Sequence, residues 1–200
     1  MKIGLFGGSF DPIHRGHIEP VQEARRALGL DRVIYLPTAV PPHKPGRQLA
    51  PAHARYTMVE LALLQEPGLY ASMHELTLGR PAYTIETVEH FRQAMPDADL
   101  HLLIGGDSFA DLDHWFRWRE IASAVRLVVL ARPGWSLADT ALPSELVELA
   151  RSERVDFVTQ RPVDISSTRL REMFSRGETP PPGSVPDLVV RYVQKYDLYR

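Results

Sequence analysis

Cysteine is absent from the 200 residues, which excludes disulfides, thiolate nucleophiles and cysteine-bound zinc. No apolar stretch approaches the roughly 18 residues that a membrane-spanning helix needs. Charge of one sign is not in excess either: 23 Lys and Arg against 25 Asp and Glu leave a formal net charge of −2. Such a chain offers no global field to nucleic acid or to an anionic membrane, so any phosphate recognition has to be local. Lysine is scarce, with Lys2, Lys44 and Lys195 the whole supply. Internal repeats, low-complexity tracts and a signal-peptide pattern are also missing; the first residues enter a strand pattern at once. A cytoplasmic protein without nucleic-acid or membrane partners is expected, as a monomer or a small homo-oligomer.

What is present is an ordinary globular composition, 44% hydrophobic and 24% charged, long enough for one domain with a sizeable core. Strand-like aliphatic runs recur as KIGLF (2–6), RVIYL (32–36), LYASM (69–73), LHLLI (100–104), RLVVL (126–130) and VDFV (155–158). Helical patterns lie between them, at 17–29, 50–65, 84–95, 115–123 and 144–152. Pro20 and Pro51 are read as lying near helix starts, where a missing N–H is tolerated. Short buried strands alternating with helices predict an α/β fold, a doubly wound and mainly parallel sheet. The segment ISSTRLREMFSRG and the terminal PDLVVRYVQKYDLY predict further helices. Residues 1–200 are thus read as a single domain, with 165–200 a C-terminal helical subregion. The Pro-rich PTAVPPHKPGRQ (37–48) is a loop at a strand's carboxyl edge, where such folds bind ligands.

Chemistry concentrates in GGSFDPIHRGH (7–17). Gly7 and Gly8 stand where the first strand ends, and glycine lets the backbone turn sharply and approach a ligand. A helix begins near His14 to His17, where unpaired N–H groups and the helix dipole attract anions. His14 and His17 share a helical face. Two imidazole donors, loose amides and a helix N-terminus make a phosphate cradle, unlike a Walker loop or a G-x-G-x-x-G turn. Two other readings stay open: a tight turn whose histidines cap or face solvent, and a zinc pair, for which no third ligand has matching spacing.

This stretch resembles the H-x-G-H signature of the nucleotidylyltransferases, and the longer string is similar to the nicotinate mononucleotide adenylyltransferase family. The likeness continues in order through PPHK (41–44), RPAYTIETV (80–88), IGGDSFADLDHWFRW (104–118), ARPG (131–134), ISSTRLRE (165–172) and the terminal segment. The small departures are the middle Gly of GGD and Ser108. The resemblance implies a Rossmann-like nucleotidylyltransferase fold and the reaction of ATP with nicotinate mononucleotide to give nicotinate adenine dinucleotide and pyrophosphate, a step of NAD biosynthesis.

By the same resemblance His14, His17 and Lys44 are the catalytic residues. ATP would meet Gly8, Ser9, Phe10, His14, His17, Gly105, Asp107, Ser167, Thr168 and Arg169. Nicotinate mononucleotide would meet Gly7, Ser9, Lys44, Tyr83, Thr84, Trp115 and Arg132. Several of these have plainer alternatives. Asp107 reads equally as a helix N-cap, Ser166 to Thr168 as caps and Thr84 as the cap of its helix. A lone loop lysine such as Lys44 is usually just solvated, and Trp115 and Trp118 ordinarily read as core packing, the resemblance assigning only Trp115 to the pyridine ring. No metal-binding carboxylate cluster is visible, so the expected Mg²⁺ cofactor would be held largely by phosphates and water. A phosphopantetheine-type or dual-specificity adenylyltransferase, or a non-catalytic nucleotide-sensing module on the same fold, are the competing readings.

Overall fold

The computed structural model describes residues 1–39, 49–132, 134–137, 140, 142–159, 161 and 163–200. Elements follow one another as β1 (Lys2–Gly8), α1 (Arg15–Leu28), β2 (Arg32–Pro37), α2 (Ala52–Leu63), β3 (Leu69–Ala71), α3 (His74–Thr77), α4 (Thr84–Ala94), β4 (Asp99–Gly105) and α5 (Gly106–Ala110). A short 3₁₀ helix (Leu112–His114), α6 (Trp118–Ala124), β5 (Arg126–Ala131), α7 (Ser144–Arg151), β6 (Val155–Thr159), α8 (Ser167–Ser175) and α9 (Asp187–Lys195) complete the chain. The strands form a six-stranded sheet in the order β3-β2-β1-β4-β5-β6. This is the doubly wound, mainly parallel arrangement expected of strands alternating with helices. Its order turns between β1 and β4, and ligands of such sheets bind outside the carboxyl ends of the strands at that point.

The described residues fall into two compact units, each assembled from separated stretches. The first comprises Met1–Phe6, Pro20–Ile34 and Tyr83–Pro162. Here β1 pairs with β4 in parallel from Lys2↔Asp99 to Phe6↔Leu103, β4 with β5, and β5 with β6. The middle strands are buried along nearly their whole length, as Leu127, Val128 and Val129 show, because helices cover both faces of a parallel sheet. By contrast β6 alternates, with Phe157 exposed, as suits an edge. Gly4 has a packing reason to be glycine: a Cβ there would lie 2.9 Å from the side chains of both Leu103 and Val33.

The second unit comprises Gly7–Glu19, Tyr35–Ala82 and Val163–Arg200. Its α2 and α9 pack together, burying Met58 and Val59 on one and Val189 and Val193 on the other. No helix of the described residues is long and apolar enough to cross a membrane.

Several boundaries differ from the sequence reading. α1 starts at Arg15, two residues early, so Pro20 is its sixth residue rather than part of the start. It lacks the N–H that would reach Gly16 O. At the other end Gly29 takes φ +64 and Leu30 N–H bonds Arg25 O at 2.9 Å, closing the helix as a glycine C-cap does. The pattern read as one helix over 115–123 divides: Trp115 ends the 3₁₀ turn, Arg117 takes φ +55, and α6 begins only at Trp118.

Candidate active site

The second unit carries the turn between β1 and α1. Phe10 lies there at φ +46 and is buried, with only 1% of its surface exposed. Its ring packs edge-on to His17 at 5.3 Å and tilted on Tyr35 at 5.5 Å. A Cβ on Gly8 would meet that ring at 2.9 Å, so glycine lets Phe10 fold back under the strand end. Any contact of Phe10 with a ligand would therefore run through its backbone. Gly7 has no such neighbour, and Ser9 is half-buried.

The rings of His14 and His17 stand 3.9 Å apart, tilted by 33°. His14 is buried and His17 half-buried. Tyr35 donates its hydroxyl to His17 O at 2.9 Å, fixing the backbone of the first turn. Gly16 is explained by the same packing: a Cβ there would lie 2.9 Å from His14 Cε1 and 3.0 Å from its Nδ1. The middle glycine of H-x-G-H makes room for the first histidine's ring. Of the first amides of α1, Arg15 N–H bonds Ser184 O at 2.9 Å and His17 N–H bonds His14 O at 2.8 Å, leaving the Gly16 N–H.

A second helix start stands beside this turn within the same unit. Ser166 is the N-cap of α8, its hydroxyl accepting from Arg169 N–H at 3.3 Å. Ser167 Oγ donates to Pro12 O at 3.0 Å, so its hydroxyl proton is engaged and its N–H, at the start of α8, is what it offers an anion. Thr168 Oγ1 accepts from Arg171 at 3.0 Å. The Arg169 side chain is exposed and reaches within 4.0 Å of the Asp164 carboxylate. His14, His17, Gly16 and the start of α8, tied to Pro12 by Ser167, thus gather imidazoles and helix-start amides at one turn, while the exposed Arg169 guanidinium lies toward Asp164. Such a group of donors is suited to phosphate oxygens.

The first unit holds the remaining candidates. Gly105 is the N-cap of α5, with nothing within 4 Å of a notional Cβ. Asp107 is exposed in the first turn of α5 and is not its N-cap, which corrects that reading. Thr84 is likewise the first residue of α4, and Tyr83 is the cap. Tyr83 N–H donates to Glu86 Oε2 at 3.0 Å, leaving the Thr84 and Ile85 amides at that helix start. The Tyr83 and Phe116 rings pack at 4.7 Å. Trp115 is half-exposed, whereas Trp118 is buried, with the Arg119 guanidinium 4.6 Å over its ring. Arg132 is exposed just beyond β5. Lys44, with Pro41, Pro42 and His43, lies outside the described residues. Among those residues no group of three or more His, Asp or Glu could hold a metal ion.

Sequence reading missed three contributors. Arg55 and Arg171 bond the carbonyls that flank Phe10, but nothing in the spacing of Arg55 within α2, or of Arg171 two residues past Arg169, points to those carbonyls. Trp135 presses on Gly106, where a Cβ would meet its ring at 2.8 Å, and stacks on Phe157 at 5.8 Å. The GG of IGGDS was the available hint of that close approach.

Comparison with known proteins places these residues in context. The family described as Cytidylyltransferase-like matches residues 5–173. A protein of Aeromonas hydrophila named "Probable nicotinate-nucleotide adenylyltransferase" is 37% identical, covering 99% of this chain and 97% of its own. One of Shewanella putrefaciens with the same name is 36% identical over 100% and 99%. Among solved structures, Plasmodium falciparum nicotinic acid mononucleotide adenylyltransferase complexed with NaAD shares the fold. Its TM-score is 0.77 at 15% identity, covering 99% of this chain and 97% of that one.

Proposed function

The chain belongs to the cytidylyltransferase-like family and, through relatives matched over nearly its whole length, to the nicotinate-nucleotide adenylyltransferases within it; from that premise we propose that it transfers the adenylyl group of ATP to nicotinate mononucleotide. The products are nicotinate adenine dinucleotide and pyrophosphate, in a step of NAD biosynthesis. The observation that carries this reading is the pair of imidazoles 3.9 Å apart at the start of α1, with the start of α8 tied to the same turn by Ser167.

The acceptor's phosphate oxygen attacks the α-phosphorus of ATP in line, and pyrophosphate departs. A phosphate monoester is already largely dianionic at neutral pH, its second pKa being about 6, so no general base is needed. The difficulty is to bring two polyanions together and to stabilise the charge that develops on the bridging and leaving oxygens. His14 and His17 donate to those oxygens, Arg169 and the amides of Gly16, Ser167 and Thr168 hold the triphosphate, and Lys44 is a further phosphate ligand. The phosphate contacts proposed here are N–H donors and cations rather than carboxylates, so an Mg²⁺ ion would be held by the phosphates of ATP and by water and would neutralise part of their charge. Asp107 accepts from ribose hydroxyls. Trp115 offers a half-exposed indole face to the electron-poor pyridinium. Thr84 and Tyr83 lie at the helix start that receives the carboxylate, and Arg132 assists with phosphate. Gly7, Gly8, Ser9, Phe10 and Gly105 supply backbone contacts. The protein acts in the cytoplasm as a monomer or a small homo-oligomer.

Pyrophosphate release from MgATP, measured with nicotinate mononucleotide, its amide analogue, phosphopantetheine and no acceptor, tests the reading. Release with nicotinate mononucleotide, matched by dinucleotide formation, is expected. Release only with phosphopantetheine would transfer the protein to another adenylyltransferase class. Release with no acceptor of the panel, alongside intact nucleotide binding, would leave a sensing module.

A further inference from the structure

We propose that Arg55, Arg171 and Tyr199 form a clamp behind the phosphate cradle, and that they are positioning residues for His14 and His17 although none belongs to the cradle itself. The clamp closes on the segment Ser9–Asp11, at whose centre Phe10 sits at φ +46. A non-glycine residue adopts that region only when its surroundings hold it there. Both flanking carbonyls are held by guanidinium groups. Arg55 Nη1 donates to Ser9 O at 2.8 Å, and Arg171 Nη1 donates to Asp11 O at 2.6 Å.

Asp11 joins the clamp to the end of the chain. Its carboxylate is 1% exposed. Oδ1 accepts from the Tyr199 hydroxyl at 2.8 Å and from Ala50 N–H at 3.1 Å, while Oδ2 lies 3.7 Å from Arg171 Nη1. Arg55, also 1% exposed, donates further to Ala39 O and Ala50 O, each at 3.0 Å. Three elements distant in sequence, α2, α8 and the segment after α9, therefore converge on Ser9 and Asp11, the two residues that flank Phe10. Tyr199 takes φ +75 and Asp197 φ +48, so the chain end turns back sharply to bring that hydroxyl in. The Tyr199 ring is stacked on Phe174 of α8, 6.1 Å away and 21° from parallel.

The consequence for the histidines follows from packing. The Phe10 ring, whose direction the clamped backbone sets, stands edge-on to His17, and His17 stands against His14. Loosening the backbone at Phe10 lets that ring swing and the imidazoles follow. Displacement of a positioned group by about 1 Å costs up to about a hundredfold in rate. Burial and the adjacent Asp11 also hold the Tyr199 phenol protonated, so it remains a donor.

The proposal rests on the adenylyl-transfer reading, and its test separates the two. Tyr199→Phe keeps the ring on Phe174 and deletes only the hydroxyl on Asp11; Arg171→Lys keeps the charge and loses the planar fork. Wild type, both variants and Tyr56→Phe, an α2 surface control, are assayed with MgATP and nicotinate mononucleotide where all are folded. Their histidine ring protons are followed by NMR without substrate, with the signals of His14 and His17 identified through His14→Gln and His17→Gln. Wild-type turnover decides the functional reading; the variants decide the clamp. In both variants the His14 and His17 signals are expected to shift while the other histidines stay. A kcat lower by about tenfold or more is expected, with KM for ATP within about threefold of wild type. Tyr56→Phe matches wild type. Unmoved His14 and His17 signals in Tyr199→Phe overturn the clamp even if wild type does not turn over. So does a wild-type kcat in that variant. If Arg171→Lys fails to fold, Tyr199→Phe alone decides.

Discussion

His14 and His17 differ in surroundings: the first is buried and shares its space with Gly16, the second is half-buried against Phe10. Both rings are fixed before any ligand arrives, which is the condition under which a donor stabilises a transition state without reorganising. His14→Ala and His17→Ala should each lower turnover by about 10²–10³ while acceptor binding weakens much less. Steady-state kinetics check this, and near-normal turnover in either variant removes that residue from the cradle. Gly16→Ala is the sharper probe, because it leaves both imidazoles in the chain. Its methyl would stand 2.9 Å from His14 Cε1, so the ring must move. Alanine suits a helix better than glycine, so the fold should persist. We expect turnover to fall by at least about tenfold with little change in the unfolding midpoint. Unaltered kinetics would show that the placement of His14 does not matter.

Helix starts decide the chemistry at the next scale. In α1 and α8 the chain engages some of the first amides itself, through Ser184 O and the Ser166 hydroxyl. At α4 the Tyr83 amide is bonded to Glu86, so the donors that remain are the Thr84 and Ile85 amides. A carboxylate satisfies such a pair with both oxygens. A carboxamide presents one oxygen and an NH₂ that opposes the second donor. Leaving a donor unpaired costs about 1–3 kcal/mol, and loss of the anion's charge adds to it. The acid nucleotide should therefore exceed the amide by at least about a hundredfold in kcat/KM, some 2.7 kcal/mol. Measuring both acceptors under saturating MgATP is decisive, since near-equal values would describe a dual-specificity enzyme.

Over the whole molecule, two buried phenols link stability to alkaline pH. Burial, with Glu66 nearby, raises the Tyr35 pKa well above the ordinary 10.0. Burial and Asp11 do the same for Tyr199. Below about pH 10 both folded and unfolded chains carry these protons, and the stabilisation is complete. As the pH rises past about 10, the unfolded chain releases protons that the folded one retains, so the unfolded state gains relative to the folded one. Unfolding free energy should decline from there upward, and less steeply in Tyr199→Phe. A decline of the same slope in wild type and variant would show that Tyr199 titrates alike in both states.

Much of the fold and part of the site were legible in the amino-acid sequence because they are local. Aliphatic runs such as RLVVL mark β5 by their shortness and β-branched content, and the amphipathic stretch ending at Gly29 encodes α1 by its periodicity. The H-x-G-H spacing brought two imidazoles together at the start of α1, where their rings stand 3.9 Å apart although His14 precedes the helix. Boundaries were less legible where a single residue leaves the helical region, as Arg117 does at φ +55 ahead of α6. Only the tertiary structure revealed that Gly16 yields its space to His14, that Ser167 is tied to Pro12, and that Arg55, Arg171 and Tyr199 close on the turn at Phe10. Those contacts join residues up to 188 positions apart. No periodicity reports them, because a buried carbonyl or carboxylate accepts from whichever donor the packed chain brings to it.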